Sequence, residues 1–236
     1  MRVVVIGAGI AGLVAARELS ANDVTVQLVD KGRSVGGRLA TRRIGNARLD
    51  HGAQFFTVRT PAFRTRVDEW LERGIVHVWN HGFDGDDGHP RYVGSAGMNS
   101  LAKDLAIGLD IETSTMAFTV RDVDAEHRWQ VVIDDGTVRP ADAVILTSPI
   151  PQSLALLVDA GVDFDGSPMR TEYDRTVGLL VTLDGRAPLP PSGGVQSDDG
   201  FFSFIGDNGA KGISAVPALT FHANAAWSEE HWDDDD

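Results

Sequence analysis

The sequence predicts an α/β fold, with a larger domain built on a parallel sheet and a second, smaller α+β domain. Three observations support this prediction. Residues 3–6 (VVVI) form a continuous β-branched run, which is typical of a strand buried on both faces of a parallel sheet. A glycine-rich turn and a helix-like segment come next, and a second apolar run follows at residues 24–29. With 236 residues, the chain is long enough to form two domains.

The N-terminal segment has the order strand, turn, helix, strand. Residues 10–20 are rich in Ala and Leu and predict a helix, and the run at residues 24–29 ends on Asp30. This order is that of the dinucleotide-binding half of a doubly wound sheet. We therefore expect a Rossmann-type domain at the start of the chain.

The middle of the chain alternates between helical and strand patterns. Apolar residues at helical spacing predict a helix over residues 61–73, which Gly74 ends. A short strand is expected at residues 75–79, and the polar Gly/Asp/Pro stretch at residues 81–90 predicts an exposed loop. A leucine stripe predicts a further helix over residues 98–109.

The next segments predict an antiparallel meander and one more buried strand. Strand-like runs at residues 115–123, 129–133 and 138–139 are separated by an Asp-Gly turn signal. Residues 143–146 (AVIL) again predict a parallel strand.

Beyond Pro151 the pattern changes, which indicates a second domain. A helix is expected at residues 153–158, with strands at 177–183, 201–205 and 218–222. We predict a discontinuous dinucleotide-binding domain over residues 1–60 and 91–150. The second domain is predicted to comprise residues 61–90 and 151–236.

The turn between the first strand and helix has the sequence GAGIAG, the dinucleotide-binding fingerprint. Gly7 permits the tight turn, Gly9 lets a pyrophosphate approach the backbone, and Gly12 lets helix and strand pack closely. The helix N-terminus supplies free N–H groups and a positive dipole. Asp30, at the end of the second strand, is placed to accept hydrogen bonds from ribose hydroxyls.

A second glycine motif, Gly36-Gly37-Arg38, lies just downstream. The glycine pair lets a loop pass close to a pyrophosphate, and the guanidinium can bind phosphate oxygens in bidentate fashion. An enzyme that binds only NAD does not need this motif.

These motifs resemble those of a known family. Residues 3–38 are similar to the start of the flavin-containing amine oxidase superfamily, and within it to the renalase-like group. Residues 49–56 (LDHGAQFF) resemble the family segment that lies beside the flavin. Further matches are found at residues 92–101, 143–149 and 219–228.

The resemblance implies an FAD-dependent oxidoreductase with a Rossmann-type FAD-binding domain. It implies backbone contacts from the first glycine turn, a ribose contact by Asp30 and a phosphate contact by Arg38. Residues 53–55 would lie near the isoalloxazine ring, and the strand around Val120 would pass the adenine. The cofactor-binding residues predicted in this way are Gly7, Gly9, Ile10, Ala11, Gly12, Asp30, Lys31, Gly37, Arg38, Ala53, Gln54, Phe55 and Val120.

In the reaction that the resemblance implies, a small reduced substrate donates a hydride to the flavin, and oxygen reoxidises it. The renalase-like group implies a dihydronicotinamide dinucleotide isomer as substrate, and a small amine is the enzymatic alternative. No side chain is required as a covalent catalyst, so no catalytic residue is predicted.

One departure from the family pattern concerns the C-terminus. Family members close the FAD site with a Gly-Asp motif that leads into a final helix. Here Gly206-Asp207 is followed by no Ala/Gly-rich helix, and the chain ends on an acidic run at residues 233–236. We therefore expect the second domain to be incomplete at its C-terminus. A truncated, non-catalytic dinucleotide-binding remnant is the alternative from another class.

Composition excludes several kinds of partner and site. Acidic residues outnumber basic ones 34 to 21, for a net charge of -13, which disfavours nucleic acid and anionic membranes. The chain has no Cys, so thiol chemistry is excluded and a reducing cytoplasm is expected. The short apolar start predicts neither a signal peptide nor a membrane span. His77 and His81 are four apart, with Asp84, Asp86, Asp87 and His89 close behind. His77 falls in a strand-like segment, where this spacing does not form the face of a helix, and the Gly/Asp-rich stretch after it fixes no geometry, so no metal site is predicted. The oligomeric state is not predicted.

Overall fold

The computed structural model describes residues 1–123, 126–164 and 166–234. The last two residues of the predicted acidic tail lie outside the described residues. The strands, in chain order, are β1 (Arg2–Ile6), β2 (Thr25–Asp30), β3 (Thr41–Ile44), β4 (Ala47–Asp50), β5 (Val76–Asn80), β6 (Arg91–Gly94), β7 (Asp110–Thr113), β8 (Ala117–Asp122), β9 (Trp129–Ile133), β10 (Val138–Ala141), β11 (Ala143–Leu146), β12 (Gly178–Thr182), β13 (Gly194–Gln196), β14 (Phe202–Asp207) and β15 (Ala218–Ala223). The helices are α1 (Ile10–Ser20), α2 (Pro61–Glu72), α3 (Asn99–Ala106), α4 (Ile150–Asp159) and α5 (Ala225–Glu230).

The chain divides into two compact units, each made of two segments. The first unit comprises Met1–Arg38 and Ala102–Glu172, and the second comprises Leu39–Leu101 and Tyr173–Asp236. These boundaries differ from the predicted ones at residues 60, 90 and 150. The predicted boundaries followed changes in local pattern, whereas the division of the structure follows contacts between distant segments.

The first unit contains a four-stranded parallel sheet in the order β11-β1-β2-β7, which confirms the predicted α/β fold. β1 lies between β2 and β11, with Val4 opposite Gln27 on one side and Val144 on the other. Val3, Val4 and Val5 are at most 1% exposed, and burying each such side chain contributes about 1.5–3 kcal/mol. This central position explains the uninterrupted apolar run.

An antiparallel sheet in the order β10-β9-β8 completes the strands of the first unit, as the meander pattern predicts. β10 contains Pro140, and it is an edge strand, where a missing N–H does not interrupt a ladder. Val120 and Val131 from this sheet share a core cluster with Val4 and Ile6 of the parallel sheet.

The helix predicted over residues 98–109 is wrong in its extent. The helix expected over residues 98–109 ends at Ala106, and residues 110–113 form β7, parallel to β2. Gly108 has a φ of +80°, a conformation that ends a helix. The polar sequence of β7 (DIET) does not resemble a buried strand.

The second unit contains an antiparallel sheet in the order β12-β15-β14-β13 and the hairpins β3-β4 and β5-β6. Its helix α2 starts after Thr60, whose hydroxyl accepts a hydrogen bond from the backbone N–H of Phe63, and Gly74 follows its C-terminus with a φ of +67°. Leu49 of β4 packs beside Ala218 of β15. The end of β4 therefore lies next to the main sheet of this unit.

Candidate functional site

The first glycine turn, between β1 and α1, is packed too tightly for any side chain at two of its glycines. Gly7 has a φ of +109°, and a Cβ there would lie 2.7 Å from the hydroxyl of Thr147. A Cβ at Gly12 would lie 2.0 Å from the carbonyl oxygen of Gly7. These contacts give Gly7 and Gly12 the structural roles that the motif predicts.

Gly9 differs from its two neighbours, because its surroundings are open. It is the N-cap of α1, with a φ of -73°, and apart from its chain neighbours no atom of the described residues lies within 4 Å of a Cβ built on it. No side chain caps the helix, and its first turn holds no acidic residue. The first backbone N–H groups of a helix have no intrahelical acceptor, so those of Ile10, Ala11 and Gly12 remain available to an anion.

The second glycine motif lies against the first turn. The N–H of Gly36 donates to the carbonyl oxygen of Ala8 at 2.9 Å, and a Cβ on Gly37 would lie 3.5 Å from the Cα of Gly9. The side chains of Arg38 and Lys31 are exposed. Among the described residues, the guanidinium of Arg38 has no recorded partner, so it is free to bind a phosphate.

Asp30 has a role that the sequence did not predict. Its carboxylate accepts hydrogen bonds from the backbone N–H groups of Ala8 and Gly32, each at 2.6 Å. It therefore ties the glycine turn to the loop after β2. A carboxylate has about four acceptor sites, so capacity for ribose hydroxyls remains.

The first unit thus fits the phosphate and ribose portion of a dinucleotide. An uncapped helix N-terminus, open space at Gly9 and the free cation of Arg38 suit a pyrophosphate, whereas Asp30 suits a ribose. Val120 is only 4% exposed and belongs to the core of this unit. Its predicted position beside an adenine stays a prediction.

In the second unit, the segment after β4 is the centre of a buried polar network. The side chain of Asp50 has no exposed surface, and its Oδ1 accepts hydrogen bonds from the hydroxyl of Thr41 at 2.6 Å and from the N–H of Met98 at 2.8 Å. The Oδ2 atom has no hydrogen-bond partner among the described residues. An unpaired carboxylate oxygen in a core is costly unless a charge lies near it.

The charge near Asp50 is that of Lys211, a residue that no sequence motif singles out. Its side chain is also fully buried, and its Nζ lies 3.9 Å from Asp50 Oδ2 and 2.6 Å from Gln54 Oε1. The ammonium lies over the ring of Trp79, 5.0 Å from the centroid. Lysine is almost never buried without a partner, and nothing in the local sequence GDNGAKGI signals this burial.

For both Asp50 and Lys211, burial shifts the pKa more than the attraction between the two charges does. Burial raises the pKa of Asp50 above its ordinary value, although Lys211 and the hydrogen bonds from Thr41 and Met98 oppose it. Burial also lowers the pKa of Lys211 from 10.5 to about 8, against the attraction of Asp50. Both shifts favour the neutral forms, because desolvation outweighs attraction across the gap between the two groups.

Gln54, which was predicted as a cofactor-binding residue, connects Lys211 to the backbone. Its Nε2 donates to the carbonyl oxygens of Asp50 at 2.7 Å and Gly52 at 3.0 Å. Ala53 is half-buried beside it. Gln54 is 6% exposed. Its side chain stabilises the loop after β4 through these two hydrogen bonds.

His222 of β15 lies at the open side of this network. Its Nε2 is 3.2 Å from the carbonyl oxygen of His51 and 3.4 Å from Gln54 Nε2. Burial lowers its pKa, the hydrogen bond to His51 opposes that shift, and the charge of Lys211 adds to it. Burial, followed by the charge of Arg42, likewise lowers the pKa of His51.

Phe55, the third predicted residue of this segment, belongs to an aromatic cluster. Its ring centroid lies 5.4 Å from that of Phe83 and 6.1 Å from that of Phe204. The same rings contact Trp79. Through the ring of Trp79, this aromatic cluster contacts the ammonium of Lys211.

The histidines at positions 77, 81 and 89 form no metal site in the part of the chain that the structure describes. No group of three or more His, Asp or Glu side chains there could hold a metal ion. His77 contacts the carbonyl oxygen of Lys211 at 2.8 Å through Nε2. Nor does any helix among the described residues have the length and apolar character needed to cross a membrane.

Comparison with known proteins first places the N-terminal part of the chain in a class. Residues 5–70 match the family of NAD(P)-binding Rossmann-like domains. This match confirms the Rossmann-type prediction.

A curated relative then makes the comparison more specific. The chain is 30% identical to renalase of Mus musculus over 171 residues, which is 67% of this chain and 50% of the mouse protein. It is 47% identical to hydroxyneurosporene desaturase of Rubrivivax gelatinosus over 58 residues, which is 25% of this chain and 11% of the desaturase. The chain is therefore similar to renalase, in agreement with the resemblance of its motifs, and it spans half the length of that relative.

Solved structures share the fold over nearly the whole chain. A protein of Exiguobacterium sp. 255-15, provisionally assigned as a protoporphyrinogen oxidase, superposes with a TM-score of 0.70 at 14% identity, covering 94% of this chain and 76% of that one. The PF1083 protein of Pyrococcus furiosus gives a TM-score of 0.62 at 14% identity, covering 98% and 84%. At such identities the likeness concerns the fold alone.

Proposed function

We propose that the chain is an FAD-dependent oxidoreductase that takes a hydride from a small reduced substrate. The observation that carries this proposal is the uncapped N-terminus of α1 beside Gly9, where a Cβ would meet no atom within 4 Å. A site with free N–H groups, a positive dipole and room for a ligand suits a pyrophosphate. The renalase homology supports a flavin in preference to nicotinamide alone as the cofactor.

The residues of the first unit would bind and orient the cofactor. Ile10, Ala11 and Gly12 would donate backbone N–H groups to the pyrophosphate, and Arg38 would add a charge-assisted hydrogen bond. The free acceptor sites of Asp30 would take the ribose hydroxyls. When bound, FAD would supply the hydride acceptor, with oxygen as the proposed final acceptor of the electrons. That Ala53, Gln54 and Phe55 lie near its ring remains part of the proposal.

For the substrate, we favour a dihydronicotinamide dinucleotide isomer. The support for this choice is the similarity to renalase over 67% of this chain. A small amine is the alternative, favoured by the wider amine oxidase resemblance of residues 49–56 (LDHGAQFF). A cytoplasmic location is part of the proposal, since a chain without Cys suits a reducing compartment.

The first test is FAD retention by the purified chain and by two glycine variants. Gly9→Ala should fold normally, because its Cβ meets no atom within 4 Å, but that Cβ would project into the space where we place the pyrophosphate. Gly185→Ala is the matched control, since Gly185 also has open surroundings. We expect flavin absorbance after desalting in the parent and in Gly185→Ala, and at least about tenfold weaker binding in Gly9→Ala.

The second test is anaerobic reduction of the bound flavin. Bleaching by a dihydronicotinamide isomer, with none by benzylamine, supports the favoured substrate, and the reverse result supports the amine. A folded protein that retains no FAD would instead establish the non-catalytic remnant. Equal flavin affinity in Gly9→Ala and Gly185→Ala would show that the pyrophosphate does not bind at the N-terminus of α1.

A further inference from the structure

We infer that His222, whose Nε2 faces the carbonyl oxygen of His51 and the Gln54 amide that Lys211 orients, is the tautomer protonated on Nε2, and that its Nδ1 accepts a hydrogen bond from an N–H group of the substrate. Lys211 is thus a positioning residue for Gln54, and His222 is a substrate-binding residue. The second half of the inference rests on the proposed function, whereas the first half does not.

The first step is the orientation of the Gln54 amide. A lysine ammonium has three donors and no acceptor, so the atom of Gln54 that lies 2.6 Å from Lys211 Nζ must be the oxygen. The amide nitrogen then points the other way. Both of its hydrogens are donated, one to the carbonyl oxygen of Asp50 and one to that of Gly52.

The second step is the tautomer of His222. Its Nε2 lies 3.2 Å from the carbonyl oxygen of His51, which can only accept, and 3.4 Å from the Gln54 nitrogen, whose hydrogens are already donated at shorter distances. Nε2 therefore carries the proton and donates it to His51. In a neutral imidazole the other nitrogen is then an acceptor, and Nδ1 has no hydrogen-bond partner among the described residues.

The third step is access to the ring. On β12, the residue paired with His222 is Gly178, so the neighbouring strand places no side chain beside the imidazole. The ring is half-buried, and its opposite neighbour is Phe204, 6.0 Å away between centroids. A polar acceptor on a partly apolar wall is the arrangement by which binding pockets orient a ligand.

Burial and the nearby positive charge favour the neutral form of His222. Burial lowers its pKa most, the hydrogen bond to the carbonyl oxygen of His51 opposes that shift, and the charges of Lys211 and His51 add to it. The carboxylate of Asp50 lies 3.9 Å from Lys211 Nζ. A neutral imidazole can accept from the carboxamide of a dihydronicotinamide or from the ammonium of an amine. The chemistry common to both ligands is an N–H donor.

The tautomer is tested on the full chain by nitrogen-15 NMR of labelled histidine, with His222 assigned from His222→Asn. We expect Nε2 protonated and Nδ1 unprotonated at pH 7. Gln54→Glu, which keeps the acceptor for Lys211 but removes the amide hydrogens, should raise the pKa of His222, whereas Gln152→Glu, the same charge change at an exposed position, should not. A proton on Nδ1 in the parent chain, or equal pKa values in the two variants, would overturn the first half of the inference.

The substrate contact is tested in the FAD-loaded protein by ligand pairs and two His222 variants. The pairs are oxidised nicotinamide dinucleotide against its 3-acetylpyridine analogue, which lacks the N–H donor of the carboxamide, and benzylammonium against benzyl methyl ether, which has no hydrogen-bond donor. His222→Leu should weaken binding of one N–H donor by about tenfold and leave its partner unchanged. His222→Asn, whose Oδ1 replaces the Nδ1 acceptor, should restore it.

The outcomes of the ligand test are distinct. Selective weakening of the nicotinamide pair identifies that substrate, and selective weakening of the benzylammonium pair identifies an amine. Equal weakening within both pairs, or none, would overturn the substrate contact even though FAD binds. If no FAD is retained, the proposed function fails and the substrate contact fails with it, while the tautomer result stands on its own.

Discussion

The side chain of Lys211 has no exposed surface. Its nearest charge partner, Asp50, lies 3.9 Å away, and burial lowers the pKa of Lys211 to about 8. Between pH 8 and 10.5 the unfolded chain therefore binds a proton at this residue that the folded chain has released. Stability rises with pH wherever the unfolded state binds more protons. The free energy of unfolding that depends on the protonation of Lys211 is therefore highest above pH 10.5, and this gain is lost as the pH falls through about 8.

The first prediction follows from this linkage. Lys211→Met removes the titrating group, so the free energy of unfolding of the parent, minus that of the variant, should rise by about 3 kcal/mol between pH 8 and 10.5. Urea unfolding at several pH values measures this difference. Lys103→Met, at an exposed position, is the control and should give parallel curves. Parallel curves for Lys211→Met as well would mean that its pKa is not lowered.

Arg38 gives a second prediction at the scale of a residue. Its guanidinium is exposed and has no recorded partner among the described residues, so removing it should leave stability unchanged. If it binds phosphate, Arg38→Ala should weaken FAD binding by about 1.5–3 kcal/mol. Calorimetric titration measures the loss, with Arg186→Ala as the control for the same change of charge. Equal affinities in the two variants would remove Arg38 from the site.

At the scale of an element, α1 and the turn before it form one packed unit. The Cβ of an alanine at position 12 would lie 2.0 Å from the carbonyl oxygen of Gly7. Backbone at that distance must move, so the usual benefit of replacing glycine in a helix is lost.

The third prediction compares two glycines of this turn. Gly12→Ala should lower the free energy of unfolding by about 1–3 kcal/mol, whereas Gly9→Ala should leave it nearly unchanged because that Cβ meets no atom within 4 Å. Chemical denaturation of both variants without cofactor measures the contrast. Similar stabilities would mean that α1 can shift away from the turn without loss.

Elements with strong local signals were predictable from the sequence, and those that depend on distant partners were not. The predicted bounds of α1, β9 and β11 agree with the structure, since each has a clear apolar pattern. The β3-β4 hairpin was missed because its strand Thr41–Ile44 is polar and exposed.

The same contrast holds for the site. Glycine positions follow from backbone rules, so the first turn could be predicted from its motif. The burial of Lys211 depends on segments more than 150 positions away along the chain, as its hydrogen bond to Gln54 shows. The hydrogen bonds that Asp30 accepts from Ala8 and Gly32 likewise depend on how the glycine turn packs against the loop after β2.

At the scale of the whole molecule, the net charge of -13 is spread over two units, each assembled from two chain segments. Repulsion among the excess carboxylates disfavours the compact state. Salt weakens this repulsion, because it shortens the range of the interaction between exposed charges.

The fourth prediction is that salt stabilises the chain. Raising the ionic strength from about 0.01 to about 0.15 M shortens the Debye length from about 30 to about 8 Å, and the midpoint of thermal unfolding should rise. Scanning calorimetry measures the midpoint, and NaCl and KCl should act equally if screening is the cause. A midpoint that is constant or falls would show that attractive ion pairs outweigh the excess of negative charge.

Trp79 offers an optical view of the buried network. Its indole lies 5.0 Å from the Lys211 ammonium, and its Nε1 is buried with no hydrogen-bond partner among the described residues. The wavelength of indole fluorescence emission shifts when a charge close to the ring appears or disappears. The loss of the Lys211 proton near pH 8 should therefore shift the emission of Trp79, which subtraction of a Trp79→Phe spectrum isolates from the other tryptophans of the chain. The protein thus carries, without any added label, a fluorescent indicator of the charge inside its second unit.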